Sequence, residues 1–471
     1  MFHSTRGNKI ISSPEAILNG LASDGGLYVL DRINKIDYKD LINDSYPVMA
    51  SKILKVFFPE FELDELEEEI INAYKSFDIP NVVDLYKCDD AYFLELFHGP
   101  TLAFKDLALV VLPRLMKLSK KKLGYEKNIT ILTATSGDTG GAALNGFKDI
   151  PGISIIVLYP NGGVSKVQEA QMCSFRSDNA KMYAVNGNFD DCQSLVKKFF
   201  NEHKDLNISS ANSINIARLA PQVVYYFYSY ITLIKNNEIK KDELVNFVVP
   251  TGNFGNIFAG FYAKKMGLPI NDLICASNKN NVLTDYFNTS VYNKNREFYK
   301  TNSPSMDIII SSNFERFLYY ALDEDTKLLS KKMNELKENG KYSFINPFNY
   351  FYGYSTDENN TLKLIKNVFD KYNYAIDPHT SVAYGAYLQY KKEVNNNYKS
   401  IILSTASPFK FPETVLQALG YDSNNPLEKL SKVINKKIPN VLNYPEIKRE
   451  IVDLALIEDK VVEVIKCLQS K

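Results

Sequence analysis

The chain has no charge of either sign to spare: Lys+Arg and Asp+Glu both number 55. No overall field is left to draw in nucleic acid or an anionic membrane, and no local basic stripe takes its place. Cysteine is scarce as well. Cys88, Cys173, Cys192, Cys275 and Cys467 are scattered, odd in number and free of any CxxC spacing. That pattern indicates neither a disulfide framework nor a zinc site, so no metal is expected and a reducing compartment fits best. Long apolar runs are missing too. The stretch around Val223 to Ile234 contains several tyrosines and falls short of the ~20 residues a spanning helix needs. The N-terminus lacks a charged region followed by an apolar core and a cleavage site. Because the sequence starts almost at "FHSTRG", no organelle-targeting extension is expected, and the chain reads as a cytoplasmic protein with no nucleic-acid partner and no membrane span.

What is present is bulk and alternation. A chain of 471 residues, 45% hydrophobic and 13% aromatic, can bury a large core and suits two or three domains. From about residue 125, short β-branched runs alternate with helical patterns. "NITILTAT" leads into "GDTGGAALNGF", "ISIIVLYP" into "SKVQEAQMCSF", "KMYAVNG" into "DDCQSLVKKFF", and "LVNFVVP" into "GNIFAGFYAKKM" and then "DLICAS". Repeated strand, turn and helix is the mark of βαβ units around parallel sheets, hence an α/β fold. The expected organisation is an N-terminal unit (1–80), a large α/β domain (81–125 and 241–425), a small α/β domain (126–240) and C-terminal surface helices (426–471).

In such sheets, sites form where strands end at their carboxyl edge. Four segments qualify. "PTGNFGN" (250–256) lies between an apolar strand and a helix, and Gly252 and Gly255 let backbone N–H groups converge at a helix N-terminus. It is neither GxGxxG nor a P-loop, and it reads equally as a phosphate cradle or a structural tight turn. "TATSGDTGGAAL" adds Thr135, Ser136 and Thr139 beside Gly137, donors suited to a carboxylate, with helix capping as the competing use. "STASPFKF" (404–411) is a third strand end. The fourth is "ELFHGPTLAFKDLALVVLP" (95–113), which sets Lys105 where a turn-rich segment becomes an apolar helix. Two anion cradles and one lysine suit a substrate carrying a carboxylate and a cofactor carrying a phosphate. Pyridoxal phosphate is the natural candidate, since its chemistry needs a lysine amine, a phosphate anchor and a partner for the pyridine nitrogen.

Taken in order along the chain, these motifs resemble those of the threonine synthase family, fold-type-II pyridoxal-phosphate enzymes similar to the tryptophan synthase β chain. "STRG" (4–7) and "GLASDGGLYV" (20–29) look like the family's opening, "ELFHGPTLAFKD" its cofactor-lysine motif and "TATSGDTGGAA" its substrate-carboxylate loop. "SANSINIARLAPQ" (210–222), "VVPTGNFGN", "SPSMDIIISSNFERFL" (303–318), "DPHTSVA" (377–383) and "STASPFKF" continue the series over nearly the whole chain. The resemblance implies two parallel-sheet α/β domains behind an N-terminal unit. It implies Lys105 as the lysine that condenses with the cofactor and acts as general base. Gly252, Asn253, Phe254, Gly255 and Asn256 would take the cofactor phosphate, Thr405 the pyridine nitrogen, and Asp138 a place beside the cofactor's phenolic oxygen, where many relatives have asparagine. Thr135, Ser136, Gly137 and Thr139 would hold the substrate carboxylate, with Ser165, Lys166, Asn215 and Arg218 as candidates for the substrate phosphate.

The implied reaction converts O-phosphohomoserine and water to threonine and phosphate, a β,γ-replacement ending threonine biosynthesis, in a monomer or homodimer. Two alternatives stay open: a phospholyase that releases 2-oxobutyrate, ammonia and phosphate, and a cofactor-binding homologue without catalysis. Ser407 and Phe409 stand where the family more often shows histidine and a small residue, a change expected to reshape the pocket floor. His98 and His379 read as hydrogen-bonded structural histidines.

Overall fold

Parallel strands buried on both faces need near-continuous apolar sequence. Ile153–Pro160 meets that requirement with all eight residues buried, and Val245–Pro250 with all six. The computed structural model describes residues 1–135, 137–164, 166–203, 205–394, 396–443 and 449–469. It contains two such sheets. The larger has six strands in the order Phe351–Ser355, Ile270–Ser277, Val245–Pro250, Lys399–Ser404, Ala91–Glu95, Asp84–Cys88. Its first five are parallel, and the last turns back through a tight hairpin in which Asp89 takes a left-handed conformation.

The smaller sheet has five parallel strands in the order Ile451–Asp453, Ala180–Asn186, Ile153–Pro160, Ile129–Ala134, Ile208–Ser209. Its edge strand comes from the far C-terminus. The last segment, expected as surface helices alone, thus also completes a sheet, and the helix Ile457–Gln469 buries Ile457, Val461, Ile465 and Leu468 against the sheet's outer face. The N-terminal residues likewise have no core of their own. Phe2, Met49, Phe57 and Ile70 belong to one continuous cluster that also contains Phe247, Leu273 and Leu403 of the large sheet.

The two sheets meet across the helices that follow Lys105. Gly146, in the helix Asp138–Phe147, lies so close to the lysine helix that a Cβ there would stand 2.0 Å from the Leu109 carbonyl oxygen. Backbone cannot yield as a flexible side chain can. Gly146→Ala is therefore expected to cost about 1–3 kcal/mol of stability, read as a melting temperature several degrees lower; an unchanged melt would mean that the two helices separate freely.

Candidate active site

The loop before Lys105 is held from two sides. Phe104 N–H donates to the Thr405 carbonyl (2.9 Å), Ser407 N–H donates to the Leu102 carbonyl (3.0 Å), and Ala103 bridges Ala406. This short ribbon fixes the lysine loop to the carboxyl end of Lys399–Ser404, which brings Lys105 and Thr405 to one place. On the other side, Asp106 accepts from Thr101 N–H (2.7 Å) and Thr101 Oγ1 (2.8 Å). Asp106 is fully buried, and that burial pushes its carboxyl up to about 6 against the opposing hydrogen bonds from Thr101. It ties the loop to the start of the helix Asp106–Leu109.

His98 fastens the same motif. Its Nε2 lies 2.9 Å from Glu95 and its Nδ1 3.0 Å from Asp78. Burial pulls the imidazole pKa down, but the bonds to Asp78 and Glu95 more than offset this and push it up to about 9. The unfolded ring titrates near 6.5, so the stability this bridge contributes is fully present below that pH and is lost as pH rises through about 9. The melting-temperature difference between the wild type and His98→Gln is expected to be largest at pH 6 and absent above pH 9; a difference independent of pH would contradict the assignment.

The Lys105 amine faces Asp138, with Nζ 3.9 Å from Oδ2. Burial drives the amine's pKa down; Asp138 opposes, while Arg218 and Lys410 add to the lowering. Asp138 opens its helix and is itself buried. It accepts from Gln168 Nε2 (2.7 Å) and Ser305 Oγ (3.0 Å), and pairs with Lys410 Nζ (3.1 Å). Burial alone would raise this carboxyl, but Lys410 and Lys105 hold it well below the usual carboxylate range. Lys410 had no place in the sequence reading, although "STASPFKF" contains it. In that stretch, Ser407 Oγ caps the short turn Pro408–Lys410 and Phe409 is buried in the core behind the sheet. The two departures from the family pattern thus serve the turn and the core, where a changed pocket floor was expected.

The loop after Val245–Pro250 is packed closely on its neighbours. Phe254 is in the left-handed region (φ +65°), a strained setting for a bulky residue, and is pinned there by Phe314 and Phe317 with ring centroids at 5.0 and 5.5 Å. Asn313 N–H donates to the Asn253 carbonyl and Ser311 Oγ to the Gly252 carbonyl. A Cβ on Gly252 would come within 2.8 Å of the Ser305 carbonyl, and one on Gly255 within 3.3 Å of the Asn313 amide. The helix Gly255–Lys265 starts here, so its first-turn N–H groups have no intrahelical acceptor. Asn256 turns its Oδ1 to Tyr225 (2.6 Å), and its buried Nδ2 has no partner among the described residues. Ser305, beneath the loop, also donates its N–H to His379 Nε2, whose Nδ1 lies 2.6 Å from Asp377. His379 is thereby a structural prop.

The remaining expected residues divide. Thr135 Oγ1 accepts from Gly137 and Gly140 N–H (3.0 Å each) and shapes its turn, with Thr139 half-buried one helical position beyond Asp138. Ser136 and Ser165 lie outside the described residues. Asn215 caps its helix through Ala217 N–H and donates to the Ile17 carbonyl, while Lys166 is exposed at the start of Lys166–Ser174. Arg218 is buried: Nη1 donates to the Ala211 carbonyl, Nε has no partner, and no carboxylate among the described residues pairs with it. Burial brings its guanidinium down to about 10.

A largely buried lysine amine, a buried hydroxyl at a strand end and a glycine-containing helix start are the parts that a pyridoxal-phosphate enzyme of fold type II requires. Residues 76–406 match the family model for pyridoxal-phosphate dependent enzymes. The chain is such an enzyme, and pyridoxal phosphate is its cofactor. Residues 1–74 and 380–456 match the models described as "Threonine synthase N terminus" and "Threonine synthase, C-terminal". Threonine synthase of Schizosaccharomyces pombe is 38% identical over 462 residues, covering 88% of each chain, and that of Saccharomyces cerevisiae is 37% identical over 470 residues, covering 91% of each. Among solved structures, the pyridoxal-phosphate-bound threonine synthase of Brucella melitensis superposes with a TM-score of 0.88 at 36% identity, covering 99% of both chains. The yeast enzyme gives 0.89 at 34%, with the same coverage. The chain belongs to the threonine synthase family.

Proposed function

We propose that the chain carries out the threonine synthase reaction, converting O-phosphohomoserine and water to threonine and phosphate. The observation that carries this reading is the buried Arg218 guanidinium, which donates to the Ala211 carbonyl but keeps a partnerless Nε and has no carboxylate among the described residues to neutralise it. It is an anion receptor without an internal anion, and its charge lowers the pKa of the Lys105 amine.

The residues fit the cofactor. Gly252, Asn253, Phe254, Gly255 and Asn256 would take its phosphate at the start of the helix Gly255–Lys265, where Asn256 Nδ2 is a donor without a partner among the described residues. Thr405 would meet the pyridine nitrogen with a neutral hydroxyl, and Lys105 would anchor the aldehyde carbon. When bound, pyridoxal phosphate supplies the electron sink that makes carbon acids of the substrate. The chain does the rest. Lys105, pushed toward its neutral form, takes the proton from Cα and then one from Cβ, whose electrons expel the γ-phosphate; a proton goes to Cγ, which becomes the methyl group, and one returns to Cα. Asp138 stays ionised beside that amine and favours its ammonium form once the proton has been taken. The Thr135–Thr139 turn would hold the carboxylate, with Ser136 part of the same proposal, and Arg218 would receive the γ-phosphate as it leaves. Water then adds at Cβ. Asn215 supports Arg218's helix by capping it.

Borohydride reduction of the cofactor-loaded chain followed by peptide mass spectrometry tests the site: cofactor fixed on the Lys105 peptide is expected, and cofactor fixed on another lysine would overturn it. A cytoplasmic location, and a monomer or homodimer, belong to the same proposal; cell fractionation and light scattering test them. Among the described residues, no helix is long and apolar enough to cross a membrane.

A further inference from the structure

A buried carboxylate 3.9 Å from a catalytic amine presents a problem. Left alone, it would favour the ammonium and take away the base. Asp138 is not left alone. Lys410, whose side chain is 1% exposed, reaches across from the loop after Lys399–Ser404. Its Nζ meets three acceptors: Asp138 Oδ1 (3.1 Å), the Thr101 carbonyl (2.7 Å) and Gln171 Oε1 (3.2 Å). Three acceptors match the three donors of an ammonium. They come from three elements: the start of the helix Asp138–Phe147, the lysine loop, and the helix Lys166–Ser174. Lys410 thus sits closer to Asp138 than Lys105 does.

We propose that Lys410 is a positioning residue for the reaction: it anchors the Asp138 carboxylate and balances its charge, so that Lys105 can sit beside an anion and still serve as a base. The charged and titratable groups around Lys105 are Asp138 and Asp106, which favour its ammonium, and Arg218 and Lys410, which disfavour it; His379 reaches the cluster only through the Ser305 backbone. The same Thr101 that accepts from Lys410 through its carbonyl donates to Asp106, so one side chain links both carboxylates that flank the amine.

The inference rests on Lys105 being the reactive amine, and its test reads that amine directly, with the cofactor removed so that the amine is free. The full chain, stripped of cofactor, is acetylated with acetic anhydride across pH 6 to 10, and the midpoint of Lys105 labelling is read by peptide mass spectrometry. Lys410→Met removes a like charge and is expected to raise the midpoint by about one pH unit or more. Asp138→Asn removes an opposite charge and is expected to lower it. The double variant is expected to return close to wild type, a cancellation that general loosening of the site would not produce. A Lys410→Met midpoint equal to wild type, or a double variant displaced as far as either single one, would overturn the proposal. If Lys410→Met does not fold, the same charge is read by adding it to Asp138→Asn, where the midpoint must rise; no rise would be equally fatal. Failure of the cofactor assignment would show instead in the borohydride experiment, leaving these midpoints interpretable.

Discussion

Replacing Lys105 by alanine is expected to lower turnover by more than about 10⁴-fold, because one amine is asked for several proton transfers and each positioned acid or base contributes about 10² to 10⁴. The loss should fall on kcat. The substrate contacts proposed at the Thr135 turn and at Arg218 come from other elements and should survive the substitution. The fold should survive it too, since Asp106, Phe104 and Leu102 hold the loop through hydrogen bonds that do not involve the lysine amine. Steady-state kinetics with a thermal melt checks both halves. A variant that keeps more than a hundredth of wild-type kcat would require another base.

The second large effect is at Arg218, and it should appear in two measurements of opposite sign. Hydrogen bonds to charged groups are worth about 1.5–3 kcal/mol each. Loss of one or two from a departing phosphate predicts a fall of about 10²-fold or more in kcat/KM for Arg218→Met. Stability should move the other way. A guanidinium that is buried with no carboxylate and an unpaired Nε is a cost the fold carries, and an apolar side chain of similar length removes it. The variant is expected to melt at a higher temperature while losing activity. Millimolar inorganic phosphate should raise the wild-type melting temperature and leave that of Arg218→Met unmoved, because a ligand stabilises only the state that binds it. A variant that loses both activity and stability would mean that Arg218 is structural.

The sheets were legible because strands buried on both faces cannot be written otherwise. "ISIIVLYP" and "LVNFVVP" coincide with Ile153–Pro160 and Val245–Pro250 almost residue for residue. The loops after them were legible because glycine and hydroxyl residues at strand ends are unusual in bulk sequence. What escaped was non-local. Lys410 gains its meaning from residues 101, 138 and 171, none near it in the chain. Ile451–Asp453 is three residues long, exposed or half-exposed, and becomes a strand only because Ala180–Asn186 offers an edge. Asn215 was read for its amide chemistry, but its place one residue before a helix gave that chemistry to a cap. The histidines were easier, since each had acidic residues close by in sequence: Glu95 for His98 and Asp377 for His379.

The most direct measurement is of products. Cofactor-loaded protein is incubated with O-phosphohomoserine in ¹⁸O-labelled water, and phosphate, threonine and 2-oxobutyrate are followed together. One threonine for each phosphate, with the label in the β-hydroxyl and none in the phosphate, is the predicted result. Phosphate matched by 2-oxobutyrate, or no phosphate at all, would contradict it.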